Sequence, residues 1–297
     1  MLAYRHAFHA GNHADVLKHL VLLSCLEYLT RKDTPLLYVD THAGAGAYNL
    51  DLGYAAQNRE WLGGVQRLAQ AAGPAQGAVP ATAFDTAPGQ ALQRYLQNIA
   101  AFHTRQSDPA SYPGSPSLAA ALLRPQDHAV LCELHPTDHQ LLADLFRADR
   151  RIQVRKADGF QTLKAVLPPP ARRALVLCDP SYELTEDYAR LTRALTDSLG
   201  RFATGCCLVW YPLLERAEAK ALPAQLQSLT EQAGRPWLRT ELSVRAAETG
   251  ERGMSGSGMF VINPPYPLHT ELETCLPWLQ QTLAAENGSC RLSASES

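Results

Sequence analysis

The sequence predicts an α/β protein: a mostly parallel seven-stranded sheet with helices on both faces and an inserted helical subdomain. Three observations carry this. Short apolar runs alternate with stretches of helical periodicity, the pattern of strand-helix-strand units. Several of these runs end in an acid, or in an acid followed by glycine, as strands do at the ligand-facing edge of an α/β sheet. The connection between the first and second strands runs to roughly 80 residues, where a crossover needs only a few tens.

The elements follow in order. Residues 13 to 31 place Leu17, Leu20, Val21 and Tyr28 on one helical face, with Asn12 available as N-cap, so an amphipathic helix is expected. "PLLYVDTHAGAGAY", residues 35 to 48, is a buried strand ending at Asp40 and passing into a glycine-rich turn. Inside the long connection, Trp61, Leu62, Val65 and Leu68 mark one helix, and Leu92, Tyr95, Leu96 and Ile99 mark another. The Gly/Pro/Ala-rich stretch 73 to 90 between them is expected to be a mobile loop. Further strands are expected at 128 to 134, 151 to 156, 173 to 179, 205 to 210, 237 to 244 and 259 to 263. Leu141, Leu142, Leu145 and Phe146 mark a helix between the first two of these. The chain therefore divides into an N-terminal segment with the first strand (1 to 46), the insertion (47 to 127), the rest of the α/β domain (128 to 285) and a disordered tail (286 to 297).

Composition restricts the partners. With 46% hydrophobic and 19% charged residues the chain can bury a full core, and its net charge of -2 leaves no extended basic footprint for nucleic acid. Any such contact must be local. Seven cysteines form no C-x-x-C pair and five lie in apolar runs, which suits a reducing cytosol. Arg5, His6 and His9 stand where a signal peptide needs an apolar core, and no apolar run approaches the ~18 residues of a membrane helix. A soluble, cytoplasmic monomer without a membrane partner is expected.

The strand ends carry the chemistry. Gly44 and Gly46 follow the first strand, where the backbone must turn tightly and approach a ligand. Glu133 ends the next and can take two ribose hydroxyls; Asp158-Gly159 ends a third and suits an adenine amino group; Asp179 ends a fourth. No G-x-G-x-x-G occurs, which favours a single nucleoside-like cofactor such as S-adenosylmethionine over a dinucleotide. Asp179-Pro180-Ser181-Tyr182 then reads as a grip on an amine: carboxylate and Pro180 carbonyl accept its two hydrogens, and Tyr182 stacks on the base. No metal is required. A second tetrad, Asn263-Pro264-Pro265-Tyr266, looks more regular, but if 259 to 263 is an antiparallel strand it emerges at the opposite edge and is a decoy. The same topology returns the loop 245 to 258, with Arg245 and Arg252, to the catalytic side.

Tyr4, Arg5, His6, Phe8, His9, His13, Lys18 and His19 mix aromatic rings with cations, as a stacked base with neighbouring phosphates requires. Two other readings compete: a histidine metal cluster of His6, His9, His13 and His19, disfavoured because only Asp15 is nearby as carboxylate, and simple surface groups, preferred for His13. Trp210-Tyr211-Pro212 can shape a pocket or plug the core, and Arg147, Arg150 and Arg151 form either a solvated face or an RNA rail.

"MLAYRHAFHAGNHADVLKH", with "YVDTHAGAG", "YPGSP", "ELHP", "KADGF", "RFATG" and "WYP", closely resembles the RlmJ family of bacterial methyltransferases acting on an adenine N6 of 23S ribosomal RNA. The resemblance runs from residue 1 to about 280. It implies a class I, Rossmann-like methyltransferase fold, S-adenosylmethionine as cofactor and a flipped adenine as substrate. It further implies a cofactor pocket lined by His19, His42, Gly44, Ser115, Glu133, Asp158, Gly159 and Asp179, catalysis by Asp179, Pro180 and Tyr182, and substrate contacts from Tyr4, His6 and Lys18. One departure stands out: the family has Asp-Pro-Pro-Tyr, and Ser181 here frees a φ angle and adds an N–H. Two alternatives remain, a protein glutamine methyltransferase using the Asn263 tetrad and a non-catalytic RNA-binding protein of the same fold.

Overall fold

The computed structural model describes residues 5–72, 87–246 and 253–295. Two strands of buried apolar residues, β1 (Leu37–Asp40) and β6 (Ala174–Cys178), lie side by side at the centre of the sheet. β4 (His128–Cys132) and β5 (Ile152–Arg155) continue it on one side of β1, and β7 (Cys206–Leu213) follows β6 on the other, all parallel. Beyond β7 come β9 (Gly256–Ile262) and β8 (Trp237–Ser243), with β9 antiparallel to both neighbours. The order β8-β9-β7-β6-β1-β4-β5 accounts for every strand expected from the sequence.

An eighth strand corrects that expectation. Ser289–Ala294 form β10, antiparallel to β8 from Ser289 opposite Ser243 to Ala294 opposite Leu238, so the segment taken as a disordered tail closes the sheet edge. The polar composition hid a period of two: Cys290 and Leu292 pack against the core while Ser289, Arg291 and Ser293 alternate with them.

The sheet divides the core into two clusters. Leu175, Leu177, Leu208 and Val261 face one side, and Val176, Cys178, Val209, Phe260 and Ile262 the other. The second side is covered by α7 (Gly159–Val166), α8 (Thr185–Arg201) and α9 (Ala217–Gln232). On the first lie α1 (His13–Leu29), α5 (Ser115–Leu122) and α10 (Leu268–Leu283). Asn12 caps α1 as expected, its Oδ1 accepting the amides of Ala14 and Asp15 at 2.9 and 3.0 Å. The helix is not amphipathic, however. Every residue from Ala14 to Leu26 is buried, because the insertion covers the face that would otherwise meet water.

The insertion leaves the sheet after β1. It comprises a two-stranded ribbon of β2 (Ala47–Asn49) and β3 (Ser111–Pro113), α2 (Gly53–Asn58), a 3-10 turn at Glu60–Gly63, α3 (Val65–Ala71) and α4 (Ala87–Gln106). The helix expected around Trp61 is thus split into a 3-10 turn and α3, while Leu92, Tyr95 and Ile99 are buried on α4 as their spacing predicts. The loop expected at 73 to 90 falls largely outside the described residues. α5 packs on α1 and β1 as an ordinary crossover helix, so the elements proper to the insertion end near Pro113, short of the expected 127. α6 (Pro136–Phe146) connects β4 to β5.

Candidate active site

The C-terminal ends of β6, β1, β4 and β5 stand in a row, and the residues leaving them line a cleft of about 190 Å³. Thr41, His42 and Gly44 come from the loop after β1, Glu133 and His135 from that after β4, Asp158 and Gly159 from that after β5, and Asp179 and Pro180 from that after β6. Two glycines make the cleft possible. Gly44 has φ +61°, and a Cβ there would strike the Tyr48 hydroxyl. A Cβ on Gly159 would fall inside the Thr41 carbonyl.

The carboxylates are held by backbone and by arginine. Glu133 Oε2 accepts the Gly44 amide at 2.8 Å and Oε1 the His135 amide at 2.6 Å; burial raises its pKa, and these two donors work against the rise. Asp158 caps α7 through the Gln161 amide at 3.2 Å and pairs with Arg190. Burial lowers the His42 pKa to about 4, so its ring is neutral.

A second cleft, of about 180 Å³, opens beside the first. Its wall is Ala14, Asp15 and Lys18 of α1, Trp210 and Pro212 of β7, then Leu214 and Met254, and both clefts share His6, Asp179 and Ser181. Asp179 Oδ2 receives Lys18 Nζ at 2.6 Å, and Lys18 also contacts Asp15 Oδ1 at 2.8 Å. Burial opposes the lysine charge, but the two carboxylates outweigh it and raise its pKa. Asp15 is buried too, yet His6 and Lys18 hold its pKa well below the usual carboxylate range.

Most of the expected site residues therefore meet: His42, Gly44, Glu133, Asp158, Gly159 and Pro180 around one cleft, Lys18 beside the other, and His6 and Asp179 where the two join. Three do not. His19 is fully buried, its Nδ1 2.9 Å from the Tyr112 hydroxyl, and burial lowers its pKa to about 3; it lines neither cleft. Ser115 gives its hydroxyl to Asp40 at 2.7 Å and stands behind the turn. Tyr182 is 2% exposed, its hydroxyl donating to the Trp210 carbonyl at 2.6 Å. This ring offers no face to a base. It anchors instead a residue at φ +54°, whose carbonyl also takes Arg216 at 3.1 Å, and so pins the turn following Asp179. Tyr4 and Arg252 lie outside the described residues.

The other tetrad sits where the topology puts it. Asn263 follows β9 at the end paired with Cys207 and Trp237, the starts of β7 and β8, on the edge opposite Asp179. Its Nδ2 donates to the carbonyls of Ala203 and Gly205 at 2.8 and 2.7 Å, its Oδ1 accepts Arg235 at 2.8 Å, and Tyr266 is 92% exposed. Of the loop expected on the catalytic side, residues 247–252 lie outside the described residues, and Met254 lines the second cleft. Arg151 is used internally, by Asp149 and the carbonyls of Leu123 and Ala120, and with Arg147 and Arg150 it precedes β5 at the far edge. Among the described residues no group of His, Cys, Asp and Glu is arranged to hold a metal ion, and no helix is long and apolar enough to cross a membrane.

Arg190 and Met254 are not marked in the sequence, and Asp15 is marked there only as a carboxylate near the histidines. For Asp15 the signal was available: Lys18 and His19 stand three and four residues on, on the same helical face.

A doubly wound sheet with a reversed strand, β9, between β7 and β8, a nucleoside-sized cleft and an acid-headed loop at the switch from one half to the other defines the methyltransferase class of α/β proteins. The chain belongs to the RlmJ family: the family described as ribosomal RNA large subunit methyltransferase D, RlmJ, matches residues 33–294. It is 44% identical over 283 residues to ribosomal RNA large subunit methyltransferase J of Escherichia coli K12, covering 95% of this chain and 94% of that one. It is 41% identical over 286 residues to the protein of the same name from Haemophilus influenzae, covering 96% and 95%. A crystal structure of a Legionella pneumophila protein superposes with a TM-score of 0.82 at 32% identity, over 96% of this chain and 98% of that one.

Proposed function

We propose that this protein transfers a methyl group from S-adenosylmethionine to the N6 amino group of a specific adenine of 23S ribosomal RNA. The observation that carries the proposal is the position of Asp179, at the junction of a cleft suited to a nucleoside and a second cleft open to a base. The relatives named for methylation of large-subunit ribosomal RNA support the substrate class.

The residues of the first cleft suit the cofactor. Its side chains are those of a site for a cationic nucleoside: glycines where Cβ atoms would intrude, and carboxylates at Glu133, Asp158 and Asp179. When bound, S-adenosylmethionine supplies an electrophilic methyl group. His42, Gly44, Glu133, Asp158 and Gly159 would hold it.

The chain's own residues prepare the nucleophile. The lone pair of an exocyclic adenine amine is delocalised into the ring, so the amine needs acceptors for both hydrogens before it can attack. Lys18 occupies Asp179 Oδ2, which leaves Oδ1 for one N–H, and the Pro180 carbonyl suits the other. Trp210, Pro212, Leu214 and Met254 give the second cleft an apolar wall fit for a base turned out of its helix. With Lys18 spent on Asp179 and Asp15, its part on the substrate side is to hold the acceptor rather than to meet phosphate. In this reading the protein acts as a monomer in the cytoplasm, where ribosomal RNA is processed.

The test is transfer from methyl-labelled S-adenosylmethionine to protein-free large-subunit RNA, followed by nucleoside analysis. Label in N6-methyladenine is expected with wild-type protein. Label in another nucleoside, or cofactor binding with no label in RNA, would overturn the proposal.

A further inference from the structure

Resting on the assignment of Asp179 as amine acceptor, we propose that Asp15 is a positioning residue for the transfer, because its carboxylate divides the hydrogen-bonding of Lys18 and so keeps Asp179 Oδ1 free for the substrate. Asp15 is 1% exposed on the first turn of α1. Its Oδ2 accepts the Gly11 amide at 2.9 Å and faces His6 Nε2 at 3.1 Å, while Oδ1 lies 2.8 Å from Lys18 Nζ. On its other side the same ammonium reaches Asp179 Oδ2 at 2.6 Å.

The geometry has a chemical consequence. A lysine ammonium is a compact point charge whose three hydrogens rotate freely, so one carboxylate alone can draw it onto both oxygens. Lys18 is 3% exposed, so water has little access to a hydrogen it leaves unused. With Asp15 ionised, one hydrogen is committed to that carboxylate and the ammonium stays on Oδ2 of Asp179. With Asp15 neutral, the full charge of Lys18 falls on Asp179 and competes with the amine for Oδ1. The Gly11 amide and His6 fix Asp15 itself, so the restraint on Lys18 comes from a point that cannot follow it.

The experiment is a double-mutant cycle read by single-turnover methylation of large-subunit RNA, with cofactor affinity and thermal unfolding measured on every variant. Asp15→Asn is expected to slow the methyl-transfer step on the order of 10- to 100-fold, with little change in RNA affinity or cofactor affinity. In a Lys18→Met background the same change is expected to cost nothing further, since there is no ammonium left to direct. Asp15→Glu, which keeps the charge, is expected to recover most of the lost rate. An equal loss from Asp15→Asn in both backgrounds, a wild-type rate in a folded Asp15→Asn, or an Asp15→Glu as slow as Asn at unchanged unfolding temperature each overturns the proposal. If Asp15→Asn fails to fold, Asp15→Glu decides alone: a rate near wild type supports the role of charge, and a rate reduced tenfold or more in a folded protein refutes it. Failure of the underlying function is separate, because the wild type then forms no N6-methyladenine at all.

Discussion

Gly159 shows how one residue type can be dictated by a neighbour's backbone. Its φ lies outside the left-handed region, and what excludes a side chain is the Thr41 carbonyl just past the end of β1. Gly159→Ala must therefore push the loops after β1 and β5 apart, at a cost of about 1–3 kcal/mol. We expect it to weaken S-adenosylmethionine binding at least tenfold in calorimetry while far-ultraviolet dichroism is unchanged; undiminished affinity would remove Gly159 from the cleft. Tyr182 makes the opposite point. The sequence marks the residue but not its direction, because whether a ring after Asp-Pro-Ser turns to the base or to the core is settled by packing against Tyr188 of α8 and Trp210 of β7, which forms only when the chain folds. Ser181, the departure from the family tetrad, stays at the junction of the clefts, and its hydroxyl accepts the Glu183 amide at 3.4 Å.

At the scale of elements, three of the strands that carry the site were legible as short apolar runs stopped by Asp40, Glu133 or Asp179, whereas β5 alternates Ile152 and Val154 with Gln153 and Arg155 ahead of Asp158. β10 was not, since an edge strand needs only Cys290 and Leu292 on its inner side and otherwise reads as polar tail. The environment of α1 was equally hidden: one sequence pattern serves a helix half exposed or wholly covered, and the covering elements lie far along the chain. Its burial has a pH consequence. Burial lowers the pKa of His13 to about 4 and of His19 to about 3, against about 6.5 in an unfolded chain. The unfolded state thus binds the protons first, and stability present above pH 6.5 is lost progressively as the pH falls toward 4. His9, whose pKa is raised by Glu60 against the effect of burial, works in the other direction and softens the decline. Denaturant unfolding at pH 7.5 and pH 5 is expected to show a lower midpoint at pH 5, and His19→Gln should reduce the difference; a midpoint independent of pH would contradict this account of α1.

For the whole molecule, the sheet topology decides which of two similar tetrads can act. Reversal of β9 carries Asn263 to the starts of β7 and β8, where its amide is spent on the carbonyls of Ala203 and Gly205, while the parallel β6 delivers Asp179 to the edge where two clefts meet. Strand direction, not the regularity of the motif, separates structure from chemistry. The most direct measurement compares N6-methyladenine formed in large-subunit RNA by Asp179→Ala and by Asn263→Gly, the glycine chosen because Asn263 sits at φ +53°. The account predicts no product from folded, cofactor-binding Asp179→Ala and near wild-type yield from Asn263→Gly at a temperature where it remains folded. Loss of product in folded Asn263→Gly, with activity surviving in Asp179→Ala, would contradict it.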